Sequence, residues 1–328
     1  MKILVVRFSS IGDIVLTTPL LRVLGQNGHE VHFLTKKNYS QVLEGNPYIT
    51  KMHFLREDWN LMLDGLRKER FEHIVDLHRN LRSARLKFQL GIKHSTFPKI
   101  NWQKWLAVHI DEKFLPEVHI VDRYFQALKP LSLIKDKLGL EFYFSKGFSF
   151  SSRSFLNRQG MKSDSYIVWV LGGAHKTKCY PEDKIADVLQ RMTSQVVLVG
   201  GPDEKELGQR LAGRFSHVFN TCGDLSISES AMVVKHSSKV VTNDTGMMHI
   251  AAAFQKPIVA LWGNTIPAFG MYPYMPGNEA RWLSLQVVGL SCRPCSKIGY
   301  DQCPKKHFRC MRDIETLQVI EALNSLSV

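Results

Sequence analysis

Residues 242–253 combine polar side chains, a glycine and a helix start. They read Thr-Asn-Asp-Thr-Gly-Met-Met-His-Ile-Ala-Ala-Ala and follow the apolar run 239–241. This order places polar groups where a parallel strand ends and a helix begins, which is where open α/β sheets bind anions. Asp244 or Thr245 can cap the helix, and Gly246 lets the backbone approach a ligand. The segment predicts either a phosphate site or an ordinary capped turn.

A matching turn lies at the start of the chain. Residues 2–8 have a buried-strand pattern, residues 9–13 form a loop of small residues, and residues 14–24 have helical spacing. The loop carries a lone carboxylate, Asp13, which can serve chemistry or simply cap the helix. The loop lacks both the G-x-G-x-x-G pattern of dinucleotide sites and the G-x-x-x-x-G-K-[ST] pattern of P-loops, which argues against both classes.

The rest of the chain alternates strand-like and helix-like segments, which is typical of a parallel sheet with right-handed crossovers. Strands are expected at 2–7, 30–34, 72–77, 166–171, 195–201, 218–220, 239–241 and 257–262. A length of 328 residues suits two domains of about 150 residues each. We predict a first domain over 1–150 and a second over 151–310, joined by the Ser- and Phe-rich residues 146–154, with a terminal helix within 311–328.

Composition narrows the class of protein. An apolar content of 44% without low-complexity tracts indicates a folded globular chain. No window approaches 18 uncharged apolar residues, and the start leads straight into a strand, so neither a membrane-spanning helix nor a signal peptide is predicted. We therefore expect a soluble protein on the cytoplasmic side.

The net charge of +13 calls for an anionic partner. Residues 1–150 hold 23 of the 43 Lys and Arg residues but only 15 of the 30 Asp and Glu residues. Arg79, Arg82 and Arg85 are spaced by three and would share one helix face, which is either a binding surface or solvated. The sequence shows no zinc finger, homeodomain or RNP pattern, so nucleic acid is not the expected partner.

A phosphorylated or carboxylate-bearing sugar acceptor at a membrane surface fits this charge better. Lys99 and Lys104 lie near Trp102 and Trp105, a combination that can rest on anionic lipid. The sequence therefore predicts peripheral contact with the inner membrane.

Residues 7–19 and 243–251 carry the most specific patterns. They read Arg-Phe-Ser-Ser-Ile-Gly-Asp-Ile-Val-Leu-Thr-Thr-Pro and Asn-Asp-Thr-Gly-Met-Met-His-Ile-Ala. Together they resemble the two signature segments of the ADP-heptose:lipopolysaccharide heptosyltransferases, glycosyltransferase family 9. Residues 172–181 are similar to the family's glycine-rich segment; Lys178 matches the family lysine, whereas Cys179 departs from the usual basic residue.

The resemblance implies an α/β fold of the GT-B type, with two Rossmann-like domains facing across a cleft and the terminal helix returning to the first domain. It implies transfer of a heptose from ADP-heptose to the inner core of lipopolysaccharide, with inversion. No Asp-x-Asp motif presents a catalytic divalent cation. Chemistry without a metal or other catalytic cofactor is therefore expected.

The resemblance also implies roles for particular residues. Asp13 would be the general base that takes the acceptor proton. Donor-binding residues would be Gly173, Lys178, Leu225, Asp244, Thr245, Gly246 and His249. Acceptor-binding residues would be Ser10, Gly12, Arg79 and Arg82. Backbone groups near Leu225 would contact adenine, whereas His249 is also compatible with a helix interior. Glu204 and Glu206 are both candidates for the ribose, and each is also a common charge at a helix start.

Four cysteines lie close together near the end of the chain, as Cys292, Cys295, Cys303 and Cys310. This cysteine-rich tail is most similar to the heptosyltransferase II branch. A cytosolic chain makes a disulfide framework unexpected, and one C-x-x-C pair with two further cysteines predicts either a structural zinc site or free thiols in a packed loop.

Two further functions stay open at this point. A nucleotide-sugar epimerase of related doubled fold would turn over the donor without an acceptor. A non-catalytic nucleotide-binding module at the membrane surface would bind ADP and release nothing from a sugar. The patterns are compatible with transfer of either the first or the second heptose.

Overall fold

The computed structural model describes residues 1–161 and 165–327, which form two compact α/β units. The first unit comprises residues 1–100 and 118–148, and the second comprises residues 101–117 together with the chain from Ser149 onward. The second unit thus includes a segment that we expected in the first domain. The reason is apolar packing, because Ala107 and Leu115 form a buried cluster with Ile266 and Phe269.

The first unit contains a five-stranded parallel sheet. Its strands are β1 (Lys2–Val6), β2 (Glu30–Thr35), β3 (Lys51–Phe54), β4 (His73–Asp76) and β5 (His94–Thr96). They are arranged in the order β3-β2-β1-β4-β5, and all pairs are parallel. The helices of this unit are α1 (Ile11–Val15), α2 (Thr18–Gln26), α3 (Trp59–Lys68), α4 (Leu81–Leu90) and α6 (Ile120–Phe125), and α5 (Asn101–His109) belongs to the second unit.

The second unit contains a six-stranded parallel sheet. Its strands are β6 (Ile167–Val170), β7 (Val196–Val199), β8 (Val218–Asn220), β9 (Lys239–Asn243), β10 (Ile258–Trp262) and β11 (Trp282–Gln286). Their order is β11-β10-β9-β6-β7-β8. The helices that follow α6 are α7 (Ser152–Arg158), α8 (Glu182–Arg191), α9 (Lys205–Arg214), α10 (Ile227–His236), α11 (Gly246–Ala253), α12 (Arg309–Arg312) and α13 (Thr316–Ser325).

Two further features concern the terminal helix and the residues expected to join the domains. The terminal helix α13 packs in the second unit, against α8, β10 and β11, because its Val319 and Leu323 side chains complete the apolar core there. Residues 146–154 are not wholly a linker, since α7 begins inside them at Ser152.

The α/β fold class and the eight predicted strands are confirmed. The three strands that the sequence did not indicate are β3, β5 and β11, and all three lie at sheet edges. Their residues are largely half-buried or exposed, so they lack the continuous apolar run of a strand covered on both faces.

Candidate functional site

In the first unit the candidate site lies at a topological switch point. The chain passes from β1 outward to β2 and β3, and then returns to β4 on the other side of β1. In open parallel sheets, ligands bind outside the carboxyl ends of the strands at such a reversal. Asp13 lies in α1, directly after the loop that follows β1, and Arg79 lies in the loop after β4. The sheet order therefore brings two predicted site segments side by side.

The Asp13 carboxylate is held from two directions. One guanidinium nitrogen of Arg7 lies 2.6 Å from Asp13 Oδ1. The Ser10 hydroxyl donates to Asp13 Oδ2 over 2.9 Å, and the Ser10 backbone N–H lies 3.3 Å from the same oxygen. Arg7 is itself fixed, because its side chain donates to the carbonyl oxygens of Ser9 and Leu77. Asp13 therefore has a defined position, and it also makes the capping contact anticipated from the sequence.

These contacts decide the charge of the Asp13 carboxyl group. Burial by itself would raise its pKa. The Arg7 charge and the Ser10 hydrogen bonds outweigh this effect and leave the pKa below its usual value. Asp13 is thus a carboxylate throughout the neutral range. Its side chain remains 22% exposed, so a substrate hydroxyl can reach it.

Around this pair lie side chains to which the sequence gave no role. The Tyr124 ring lies 6.0 Å from the Arg7 guanidinium, and the Tyr124 hydroxyl is buried without a hydrogen-bond partner. His78 packs on Phe8, and burial together with the Arg7 charge lowers its pKa to about 4. His78 is therefore neutral at physiological pH. Arg7 stood in the signature segment, but only the structure shows its contact with Asp13.

The expectation that three arginines share one helix face is wrong for Arg79. Arg79 precedes α4 and has a left-handed backbone (φ 50°), and its guanidinium donates to the Phe97 carbonyl. Its backbone N–H is held by the buried Asp76 carboxylate, which fixes the loop after β4. Arg82 is exposed on α4, and Arg85 lies over the Trp59 ring at 4.7 Å.

The second unit repeats the switch-point arrangement. The chain passes from β6 outward to β7 and β8, and then crosses to β9 on the other side of β6. The loops after β6 and β9 therefore meet, and Lys178 Nζ lies 2.6 Å from Asp244 Oδ2. Thr265, which the sequence did not indicate, donates its hydroxyl to the same oxygen over 2.9 Å. Lys178 and Asp244 are mostly buried, with 13% and 12% of their side chains exposed.

The helix α11 begins beside this pair. Thr245 occupies its N-cap, and no side chain caps the helix there. The first N–H groups of a helix have no partner within the helix, so this end can accept an anion. Asn243, which the sequence analysis included in the signature but gave no role, joins the two loops by accepting from Tyr180 N–H and donating to the Gly172 carbonyl. The structure thus brings together Lys178, Asp244, Thr245 and Gly246.

The glycine-rich loop after β6 packs closely against neighbouring side chains. A Cβ on Gly172 would meet the Glu204 carboxylate at 2.8 Å, and one on Gly173 would lie 3.2 Å from Cys179 Sγ. Glu204 accepts from the Gly201 N–H, and burial raises its pKa. Between the two ribose candidates, Glu204 lies against the loop, whereas Glu206 is exposed on α9.

The two remaining donor candidates are Leu225 and His249. Leu225 is in the turn that follows β8, at the edge of the sheet. His249 lies in α11 and is only 2% exposed. Their donor contacts stay predictions.

The four cysteines of the tail are free thiols. Cys295 donates to the Cys292 carbonyl, and Cys292 Sγ lies 3.6 Å from the His307 ring. Burial raises the pKa of Cys295 to about 12 and that of Cys310 to about 11. Over residues 1–161 and 165–327, no three of these sulfurs lie within 4.8 Å of one another. The structural zinc hypothesis therefore stays a prediction.

One exposed aromatic surface belongs to α5. Trp102 and Trp105 are stacked at 5.1 Å and are 65% and 46% exposed. In the described part of the chain, no helix has the length and apolarity needed to cross a bilayer.

Comparison with known proteins identifies a family. Residues 61–298 match the sequence model described as "Glycosyltransferase family 9 (heptosyltransferase)". Lipopolysaccharide heptosyltransferase 1 of Escherichia coli is 22% identical over 317 residues, covering 88% of this chain and 96% of that protein. Lipopolysaccharide heptosyltransferase 2 of Escherichia coli is 23% identical over an alignment of 374 residues, covering 99% and 98%.

A solved structure has the same fold. The Escherichia coli ADP-heptose lps heptosyltransferase II aligns with a TM-score of 0.73 and 19% identity, covering 99% of this chain and 98% of that chain. At this identity the likeness establishes the fold and leaves substrate specificity to the residues of the site.

Proposed function

Because this chain belongs to glycosyltransferase family 9, the heptosyltransferase family, we propose that it transfers a heptose from ADP-heptose to the inner core of a lipopolysaccharide acceptor. The observation that carries this proposal is the placement of the two ion pairs. Arg7 with Asp13, and Lys178 with Asp244, each lie at the switch point of a parallel sheet. Such points are the ligand sites of open α/β sheets.

In the proposed donor site, the diphosphate binds at the start of α11. Its first-turn N–H groups and the positive end of the helix dipole stabilise phosphate oxygens. Lys178 supplies a full positive charge to the leaving ADP, and Asp244 positions that charge through the 2.6 Å contact. Lys178 and the helix end together neutralise the negative charge of the departing pyrophosphate, which a divalent cation neutralises in other transferases. This supports chemistry that is independent of a metal.

The remaining donor contacts follow the second sheet. Glu204, which lies against the glycine-rich loop, is suited to accept hydrogen bonds from the ribose hydroxyls. Backbone groups near Leu225 contact adenine, and Gly173 allows the loop to approach the sugar phosphate.

The transfer itself is a single displacement. The acceptor hydroxyl oxygen forms a bond to the anomeric carbon while the bond from that carbon to the β-phosphate oxygen breaks. The hydroxyl proton passes to Asp13, and the electron pair of the broken bond leaves on ADP. Attack from the face opposite the leaving group inverts the anomeric centre. The Ser10 and Arg7 contacts keep Asp13 ionised and aimed, which a general base requires.

Removing the Arg7 charge should move the pH profile. The pKa of Asp13 is lowered in the native protein, so the base stays ionised as pH falls. In Arg7→Gln, that charge no longer offsets the effect of burial, so the pKa of Asp13 rises. The acidic limb of the pH profile of kcat/KM therefore moves to higher pH. Arg7→Lys keeps the charge and should retain a limb near that of the natural protein. An identical limb in Arg7→Gln would show that Arg7 does not set the ionisation of the base.

Acceptor recognition is assigned to Arg79 and Arg82, with Ser10 and Gly12 shaping the loop. Guanidinium groups pair with phosphate and carboxylate in bidentate fashion, so the acceptor is expected to be anionic. Substituting both arginines with Gln should raise the acceptor KM and leave the donor Kd unchanged, with a smaller difference at high salt. Arg85→Gln is the matched control, because Arg85 lies over Trp59. Unchanged acceptor kinetics at low ionic strength would assign the pair to solvated surface.

Peripheral contact with the inner membrane is assigned to α5. Trp102 and Trp105 are exposed, and Lys104 lies in the same helix, so aromatic rings and a positive charge occur in one helix. Such a helix would keep the enzyme at the bilayer where a lipid-linked acceptor resides.

One assay tests the function. The protein is incubated with ADP-heptose and vesicles that carry either a heptose-free lipid acceptor or an acceptor with one heptose, and ADP release and heptosylated lipid are measured. Product on one acceptor supports transfer and identifies the step. Altered donor without acceptor would instead indicate an epimerase, and tight ADP binding with no turnover would indicate a binding module. Anionic and zwitterionic vesicles compared in parallel report on the membrane contact.

A further inference from the structure

Two histidines and a glutamate converge in the first unit, away from the loops that carry Asp13. We propose that His32, His53 and Glu69 bind a divalent transition-metal ion of the zinc type. Over the two described stretches of the chain, this is the only set of three or more His, Cys, Asp or Glu residues whose donor atoms all lie within 4.8 Å of one another. The proposal does not depend on the glycosyl-transfer chemistry.

Sheet register explains why the histidines meet. His32 pairs with Lys51 across β2 and β3, and His53 pairs with Leu34. Since side chains alternate along a strand, His32 and His53 project from the same face of the sheet. Their nitrogens Nδ1 and Nε2 lie 2.8 Å apart. Glu69, which follows α3, reaches the same face, and its Oε2 lies 3.9 Å from His32 Nδ1.

Glu69 places the cluster toward the amino ends of the strands, whereas the switch point is at their carboxyl ends. The Glu69 carboxylate contacts Lys2 and Lys51, the first residues of β1 and β3. The Asp13 loop follows the carboxyl end of β1. A metal ion at His32 is therefore outside the proposed catalytic machinery.

A hydrogen bond that would orient His32 as a metal ligand is also present. The His32 Nε2 atom lies 3.0 Å from the Glu30 carboxylate. A carboxylate only accepts, so Nε2 carries the proton and the Nδ1 lone pair of His32 faces His53. A carboxylate that orients the far nitrogen of a metal-binding histidine is a regular feature of zinc sites.

His53 can supply the second nitrogen without a net change in protonation. Because the Nδ1 lone pair of His32 faces His53, the His53 Nε2 atom carries the proton between the two rings. The Nε2 proton that now lies between the two rings moves to Nδ1, and the Nε2 lone pair then binds the ion. Zinc bonds of about 2.0–2.1 Å at a tetrahedral angle hold two nitrogens roughly 3.4 Å apart. The rings must separate by about half an ångström.

The surroundings of the three proposed ligands favour a modest affinity for the metal ion. His32 is buried and Phe71 packs edge-on against both rings, at 5.1 and 5.9 Å, which limits water on one side. Lys51 contacts Glu69 Oε1 at 2.5 Å, and Lys2 lies 3.6 Å from Oε2. These positive charges oppose a cation, so Lys2 has to move from Oε2 when the ion binds. Two imidazoles and one carboxylate match zinc better than magnesium or calcium, which prefer oxygen ligands.

The test is a zinc titration of the purified full chain against a chromophoric chelator, with cobalt absorption as a second readout. His53→Gln should weaken zinc binding at this site more than a hundredfold. Glu30→Gln removes the charge of the orienting carboxylate together with its ion pair to Lys2, and should weaken zinc binding about tenfold to a hundredfold. The control is His94→Gln, an exposed histidine of the same sheet, which should bind zinc as the natural protein does.

The cysteines of the tail are a second possible source of metal binding, and cobalt distinguishes them. A site of nitrogen and oxygen ligands lacks the intense near-ultraviolet charge-transfer band that thiolate ligands give. We expect the cobalt-loaded protein to absorb in the visible range without that near-ultraviolet band. This visible absorption should be lost in His53→Gln and kept in Cys292→Ser. Zinc affinity and stoichiometry that are the same in the natural protein, His53→Gln and Glu30→Gln would overturn the proposal. Circular dichroism confirms that each variant is folded.

Discussion

Asp13→Asn should lower turnover by about two to four powers of ten while leaving ADP-heptose affinity nearly unchanged. Asparagine has the same shape as aspartate and can still accept from Ser10, so the loop after β1 is expected to keep its conformation. It cannot take the acceptor proton. The proposed donor residues lie in the other sheet and are not altered. The measurements are kcat at saturating acceptor and the donor Kd by calorimetry.

A capping role for Asp13 predicts a different pattern. If the carboxylate only stabilised α1, donor affinity, turnover and thermal stability would fall together. Asp58→Asn is the matched control, because Asp58 caps α3 in the same unit by accepting from Leu61 N–H. That variant should keep normal turnover. A loss of turnover in Asp13→Asn that is no larger than the loss in Asp58→Asn would rule out the assignment of Asp13 as the general base.

Lys178→Ala should weaken binding of ADP and ADP-heptose by about 1.5–3 kcal/mol, the usual contribution of one charge-assisted hydrogen bond. Adenosine, which has no phosphate, should bind almost as before. The loss includes repulsion, since Asp244 would be left without its 2.6 Å partner beside an anionic ligand. Calorimetry with ADP and adenosine measures the difference.

The double variant Lys178→Ala with Asp244→Asn separates the two contributions. If Lys178 contacts the phosphate directly, ADP affinity stays low in the double variant. If Lys178 only neutralises Asp244, removing both charges should restore ADP affinity toward that of the natural protein. Equal losses for adenosine and ADP in the single variant would show that the lysine does not recognise phosphate.

The sequence by itself determined the fold class and the position of the chemistry along the chain. Continuous apolar runs predict β1, β6, β7 and β10 because strands buried on both faces must be apolar throughout. The small and polar residues directly after β1 and β9 indicate turns that open toward a ligand. Asp13 and the segment at Asp244 could therefore be named before any contact was known.

Tertiary structure decided which of these residues meet. Lys178 and Asp244 are 66 positions apart, and they are in contact because β9 lies next to β6 in the sheet. The pairing of Thr265 with Asp244 has the same origin. Local periodicity reports which residues are buried, but it carries no information on strand order.

The same limit explains the corrections. Helical spacing grouped Arg79 with Arg82, but the contacts of Asp76 hold Arg79 in a left-handed turn before α4. His32 and His53 stand on different strands, and only the register of β2 with β3 brings their nitrogens to 2.8 Å. The chemistry of each side chain is given by the sequence. Which side chains meet in a site depends on the long-range pairing of strands, which no short pattern specifies.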